Sequence, residues 1–250
     1  MNILITGYKG FIGSNLVNKL RQKEGHDIDG NTLLLFDKDD DEKQLELMCS
    51  QCDFIFHLAA VVRPTDPLEY STNKTLTKRL LSFLSEANNR CPIVFSSSIQ
   101  VALDNEYSKC KKFEENLLQE FGASNGSKVF IYRFPNLFGR FSRPNYTSVI
   151  STFCYNTSHG IPITINDPST LINFAFIDDV LDQVLSETLY ATNSGDSGIR
   201  TIINTFSIGL GKLAYYMELL KRGDIPESFR NDCFLKKLQE TYDWFSNYSL

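Results

Sequence analysis

Residues 2–20, NILITGYKGFIGSNLVNKL, decide the fold. A short apolar run rich in β-branched residues ends at a glycine, after which Phe11, Ile12, Leu16, Val17 and Leu20 recur at helical spacing. The stretch therefore reads as strand, tight turn and helix. Gly7, Gly10 and Gly13 fall in and just after the turn. Without side chains there, backbone can approach a pyrophosphate whose charge rests on the first amides of the helix. Three glycines alone are a weak signal; their place between a strand and a helix makes the dinucleotide reading specific.

Working outward, the same alternation repeats. TLLLFD (32–37) reads as a strand, DEKQLELMC as a helix, DFIFHLAA (53–60) as a strand and NKTLTKRLLSFLSEAN (73–88) as a helix. PIVFSSS (92–98), a helix over 107–121 and KVFIYRF (128–134) continue it. Apolar strands separated by amphipathic helices imply right-handed crossovers and a parallel sheet covered on both faces. The fold class expected is α/β, a doubly wound, Rossmann-like parallel sheet with a small C-terminal substrate lobe. Residues 1–135 form the dinucleotide-binding core with the catalytic helix, and 136–250 a mixed segment that builds the lobe and completes the core. In the second part a helix is expected over 147–158, a short strand at PITI (162–165), and helices in GLGKLAYYMELLKR and DCFLKKLQETYDWF.

Composition narrows the function classes. With 250 residues and 42% hydrophobic content the chain can bury a sizeable core. Asp and Glu (30) outnumber Lys and Arg (25), which argues against a nucleic-acid partner, since neutralising phosphates needs clustered cations. No apolar run approaches a membrane span, and MNILITG lacks the features of a targeting segment. A cytoplasmic enzyme or binding protein is expected. The six cysteines are scattered and expected to be thiols; CSQC (49–52) has no second pair or neighbouring histidine, so no metal site is expected. His26, His57 and His159 lie in unrelated contexts, and His57 reads as a core residue at a strand end.

DNEYSKCKKFEEN (104–116) carries the chemistry. Tyr107 and Lys111 are four apart on a helix and so share one face. A neighbouring ammonium is expected to lower the phenol's pKa, letting Tyr107 exchange a proton near neutrality. SSS (96–98) ends the preceding strand and can set a hydroxyl beside that phenol. The alternative is a serine-rich turn beside a surface helix. At the end of the second strand, Asp37 would accept from a ribose hydroxyl and favour NAD, whereas Lys38 would neutralise a 2′-phosphate and favour NADP. The two residues disagree.

With these residues in view, ITGYKGFIG, FIFHLAAVVRP, VFSSSIQVALDNEYSKCK, YRFPNLFGRFSRPNYTSVISTFCYN and FIDDV resemble the extended short-chain dehydrogenase/reductase family along nearly the whole chain. They look most like the reductase domain of capsular polysaccharide proteins of the CapF/WbjC/FnlB type. The resemblance implies NADPH-dependent reduction of the 4-keto group of a UDP-activated deoxysugar for surface polysaccharide. It implies that Ser98 polarises the keto oxygen, Tyr107 donates the proton, Lys111 holds the nicotinamide ribose and tunes the tyrosine, and Asn73 lies near the site. Cofactor contacts would come from Gly7, Gly10, Phe11, Ile12, Gly13, Asp37, Lys38, Leu58, Ala59, Ala60, Lys111 and Pro135. Sugar-nucleotide contacts would come from Asn136 and Asn145, with Arg63, Arg140 and Arg143 as anion clamps or else exposed basic loop residues. NADP(H) is favoured, with NAD(H) the alternative.

Departures from related patterns shape the reaction class. Ile99 and Gln100 stand where sugar-nucleotide dehydratases carry an acidic pair, which disfavours dehydration. Proteins of the CapF type continue into a cupin domain where this sequence stops, so it is either the reductase half of such a protein, cut at the domain boundary, or a single-domain relative for which a separate cupin-type epimerase is a candidate partner. A homodimer through the catalytic helix would use Phe113, Leu117, Leu118 and Phe121, residues that would equally pack on the core. Two other functions compete: an epimerase that retains NAD, and a non-catalytic NADP-binding regulatory protein.

Overall fold

The computed structural model describes residues 1–22, 31–146, 148–192 and 195–247. The end of the first predicted helix (23–24), His26 and the first residue of the predicted 147–158 helix lie outside them. By compactness the described chain forms two units: Met1–Phe134 with Asp182–Ile202, and Pro135–Leu181 with Ile203–Leu250.

In the first unit β1 (Asn2–Thr6), α1 (Phe11–Gln22), β2 (Thr32–Phe36), α2 (Glu42–Gln51), β3 (Phe54–His57), α3 (Tyr70–Glu86), β4 (Ile93–Ser98), α4 (Glu106–Asn125) and β5 (Val129–Phe134) alternate as the apolar periodicity requires. The parallel sheet has the order β2-β1-β3-β4-β5-β8, where β8 (Gly198–Thr201) is supplied by the later segment. The order reverses direction between β1 and β3, and ligands of such sheets bind at the strands' carboxyl ends at that point. Covered on both faces, β3 is buried throughout, and Phe56, Phe95 and Phe130 are closed to solvent. Each contributes about 1.5–3 kcal/mol by burial. Leu118 and Phe121 of α4 belong to this core, whereas Phe113 is exposed beneath the ammonium groups of Lys74 and Lys78.

The second unit holds β6 (Asn136–Phe138), α5 (Val149–Ser158), β7 (Leu171–Phe176), most of the first turns of α6 (Ile177–Glu187), β9 (Phe206–Gly209), α7 (Leu210–Arg222), α8 (Glu227–Asn231) and α9 (Cys233–Ser246). Its small sheet runs β6-β7-β9, the last pair antiparallel. A cluster of aromatic and aliphatic side chains, among them Phe138, Phe174, Phe234 and Phe245, forms its core. The strand expected at PITI is not formed: Ile163 and Ile165 pack against that cluster from irregular backbone. Their alternation reflects burial without a strand to pair with.

Candidate active site

The glycine turn is built by backbone. Gly7 adopts φ +72°, and a Cβ there would meet Ala59 Cα at 2.6 Å. Its N–H donates to Phe36 O at 2.8 Å, tying the ends of β1 and β2, and Gly10 N–H donates back to Gly7 O at 3.0 Å. Gly13, in the first turn of α1, would place a Cβ 2.6 Å from Tyr8 Cα and closer still to the carbonyl oxygen of Gly7. Phe11 and Ile12 open α1 half-buried, and the first amides of a helix have no partner within it. A cavity of about 530 Å³ beside the turn is lined by Gly7, Gly10, Asp37, Lys38, Leu58, Ala59, Ala60 and Asn73, together with Lys9 and Arg79.

Asp37, in the lining of this cavity, is fixed by backbone. Its two carboxylate oxygens accept from the N–H groups of Lys9 (3.1 Å) and Lys38 (2.8 Å). Lys9 and Arg79 are in turn paired with Asp39 and Glu42.

Asn105 caps α4 by accepting from Ser108 N–H at 2.9 Å, and the first turn so formed carries Tyr107. Ser98 ends β4, accepts from Gln100 N–H at 3.1 Å and approaches the phenol. One turn on, Lys111 is buried, with Nζ 3.3 Å from Glu114 Oε2. The three residues expected to act together are thus brought together. The direction of the phenol's shift is the reverse of the expectation: burial raises its pKa, Glu114 and Tyr70 add to the rise, and Lys111 and Ser98 offset only part of it. Tyr107 is held as a protonated phenol, suited to giving a proton.

Asn73 lines the cavity beside the glycine turn, and its amide is taken up by backbone. Its Oδ1 accepts from Val61 N–H at 2.7 Å and its Nδ2 donates to Val61 O at 2.9 Å, so the amide clamps the loop after β3. Arg63 is exposed on that loop. In the second unit Arg140 is engaged by Asp178 (3.2 Å) and Glu240 (3.7 Å), which weighs against its serving as a free anion clamp. Arg143 lies over the Tyr146 ring at 5.4 Å, Asn136 Nδ2 donates to Asn173 O at 3.3 Å, and Asn145 stands at φ +56° with its N–H donating to Thr152 Oγ1 at 2.9 Å. Pro135 opens the second unit just before β6.

Several residues around the tyrosine escaped the sequence reading. Tyr70 sets its ring 5.8 Å from that of Tyr107 and donates from its hydroxyl to Val62 O at 3.1 Å. Glu114 is fully buried, as is His57, which the sequence marks as a core residue, and Glu115 bridges Ser97 of β4 (2.6 Å) and Arg133 of β5 (2.9 and 2.7 Å). Burial alone would raise Glu115, but Arg133, Ser97 and Lys112 together hold its carboxyl below the usual range. KKFEEN offers two acids a turn from Lys111, and periodicity cannot say which of them faces inward.

A nicotinamide dinucleotide fits this donor set. The turn would be filled by a Cβ, helix amides lie behind it, and the buried Lys111 Nζ has no acceptor in hydrogen-bond geometry among the described residues.

Fold and site together define a dinucleotide-binding protein of the short-chain dehydrogenase class. The pattern of the NAD dependent epimerase/dehydratase family matches residues 3–195, and the chain belongs to that family. Among curated proteins it is similar to the UDP-2-acetamido-2,6-beta-L-arabino-hexul-4-ose reductase of Pseudomonas aeruginosa, 40% identical over 182 residues. That match covers 72% of this chain and 48% of the relative, so the chain spans about half of that protein's length. Among solved structures, the capsular polysaccharide assembling protein CapF from Staphylococcus aureus superposes with a TM-score of 0.85 at 34% identity, covering all of this chain and 68% of that one. The UDP-glucose 4-epimerase of Thermotoga maritima, 19% identical with a TM-score of 0.81 and 98% of each chain covered, shares the fold. Among the described residues no helix is long and apolar enough to cross a membrane.

Proposed function

We propose that this protein is a cytoplasmic NADPH-dependent reductase of the 4-keto group of a UDP-activated deoxysugar, serving surface polysaccharide precursors. The observation that carries the reading is the protonated Tyr107 beside Ser98 and Lys111 at the carboxyl end of β4. A reduction needs an acid at the carbonyl oxygen, and Tyr107 offers a phenolic proton there, with Lys111 and Ser98 opposing the burial that would make it a weaker acid. The 40% identity to a protein named as a hexul-4-ose reductase supports the substrate class.

When bound, the nicotinamide supplies hydride to the carbonyl carbon. Ser98 donates a hydrogen bond to the carbonyl oxygen and Tyr107 gives that oxygen its phenolic proton, leaving an alcohol. Lys111 steadies the phenolate left behind and offers its N–H donors to the nicotinamide ribose. The turn at Gly7, Gly10 and Gly13, with Phe11 and Ile12 behind it, holds the pyrophosphate, while Leu58, Ala59 and Ala60 wall the cavity. By the family resemblance Pro135 would serve the nicotinamide, and Asn136, Asn145, Arg63 and Arg143 the sugar nucleotide. Asn73 acts through the loop that it clamps.

NADPH is favoured by Lys38 in the cavity lining, beside Lys9 and Arg79 that are themselves paired with Asp39 and Glu42; NADH is the second reading, favoured by the carboxylate of Asp37. A homodimer through α4 would use the exposed Phe113, and any epimerisation would fall to a separate cupin-type protein. The test is loss of NADPH absorbance, with NADH in parallel, on a panel of UDP-4-keto-6-deoxyhexoses. Turnover is expected with at least one sugar, and Tyr107→Phe should abolish it while retaining NADPH binding. Unchanged turnover in that variant would remove Tyr107 as the acid.

A further inference from the structure

Lys111 and Glu114 form a pair of opposite charges almost wholly removed from water, their side chains 2% and 0% exposed. A buried ammonium or carboxylate alone is driven toward its neutral form, so each charge depends on the other. Lys111 Nζ meets Glu114 outside hydrogen-bond geometry and lies 4.5 Å from the centre of the Phe95 ring, so charge attraction holds it and leaves its N–H donors unused within the described chain.

Glu114 is held far more tightly. Thr77 of α3 donates its hydroxyl hydrogen to Glu114 Oε1 at 2.8 Å. A hydroxyl has one hydrogen to give, so Thr77 Oγ1 must accept from His57 Nε2, 2.9 Å away, which puts the imidazole hydrogen on Nε2. Burial first, and then the charge of Lys111, hold this ring neutral by pushing its pKa down to about 3. Nδ1 is then an acceptor, and the Thr6 hydroxyl donates to it at 2.8 Å. Thr6 Oγ1 accepts in its turn from Ala59 N–H at 3.3 Å. The donors all point one way, from the loop after β3, through the end of β1, to the ion pair. Reversing one member would leave a buried polar group unsatisfied.

We infer that Glu114 is a positioning residue of this site: it is the counter-charge of Lys111, locked through Thr77, His57 and Thr6 to the strand end beneath the glycine turn. The inference rests on the reading of Tyr107 and Lys111 as the reacting pair. Cys110 of α4, Tyr70 and Lys74 of α3 and His57 of β3 also face this cluster, and none is a carboxylate. The adjacent Glu115 is taken up by Arg133.

The test reads the charge on Lys111 directly, without cofactor or sugar. In protein labelled at the lysine Cε carbon, the Lys111 resonance is identified by its loss in Lys111→Met. Glu114→Gln keeps the shape and the acceptor for Thr77 but removes the charge. At mildly alkaline pH the resonance should move toward the neutral-amine position, and Glu114→Asp should return it toward that of the charged amine. An unmoved resonance in Glu114→Gln overturns the inference, as does a Glu114→Asp protein displaced as far as the Gln variant. Should Glu114→Gln not fold, Thr77→Val is read in the same way: a smaller shift in the same direction supports the chain of bonds, and none overturns it. Absence of turnover on every 4-keto sugar would sink the reductase reading while leaving this measurement interpretable.

Discussion

His57 shows how one side chain ties the site to stability. Its folded pKa of about 3 lies below the ordinary value of 6.5, because burial and then Lys111 oppose the charged ring. The unfolded chain therefore binds a proton that the folded one refuses. Stability from this group is fully present above the unfolded pKa and is lost as pH falls through the window between the two values, at about 1.4 kcal/mol per pH unit. Urea unfolding of wild type and His57→Gln across that window checks this: the difference in unfolding free energy between them should slope with pH, and parallel curves would contradict it. At this scale helical spacing made it legible that Tyr107 and Lys111 share a face of α4, whereas Ser98, at the end of β4, was singled out among three serines only by the family resemblance. The sequence misjudged the sign of the phenol's shift, since desolvation depends on neighbours distant in sequence. The backbone partner of Asn73 was not legible, because no spacing rule connects that segment to its amide.

The strand–turn–helix at the amino terminus is the element on which a cofactor depends. Gly13→Ala sets a methyl against Tyr8 and the carbonyl of Gly7, so the turn must shift away from α1. Overpacking of this kind costs about 1–3 kcal/mol. The expected result is a lower thermal midpoint together with weaker NADPH binding in a fluorescence titration; wild-type affinity would show that close approach at Gly13 does not shape the site. The long elements were legible because burial on one face or two writes a period into ten or more residues. Among the elements that were missed, β6, β8 and β9 are three or four residues long, too short to carry a period. PITI shows the converse, an alternation produced by packing on a loop.

For the whole molecule, a ligand that binds only the folded form stabilises it by mass action, about 2.7 kcal/mol at a hundredfold excess over its dissociation constant. At equal concentration NADPH should raise the melting midpoint more than NADH; the opposite order would make Asp37 the residue that decides the reductant. Whole-chain organisation was the least legible level, because nothing local in SGIRT announces that it pairs with β5 across the intervening second-unit segment. That pairing bears on biosynthesis. As the chain leaves the ribosome, β5 emerges with β4 on one side and an open row of peptide groups on the other. The strand that covers this edge follows only after Pro135–Leu181 has been made. Until then the nascent protein presents a bare apolar edge to its neighbours, a template for mispairing between chains. Prompt synthesis of Asp182–Ile202 is thus what protects it.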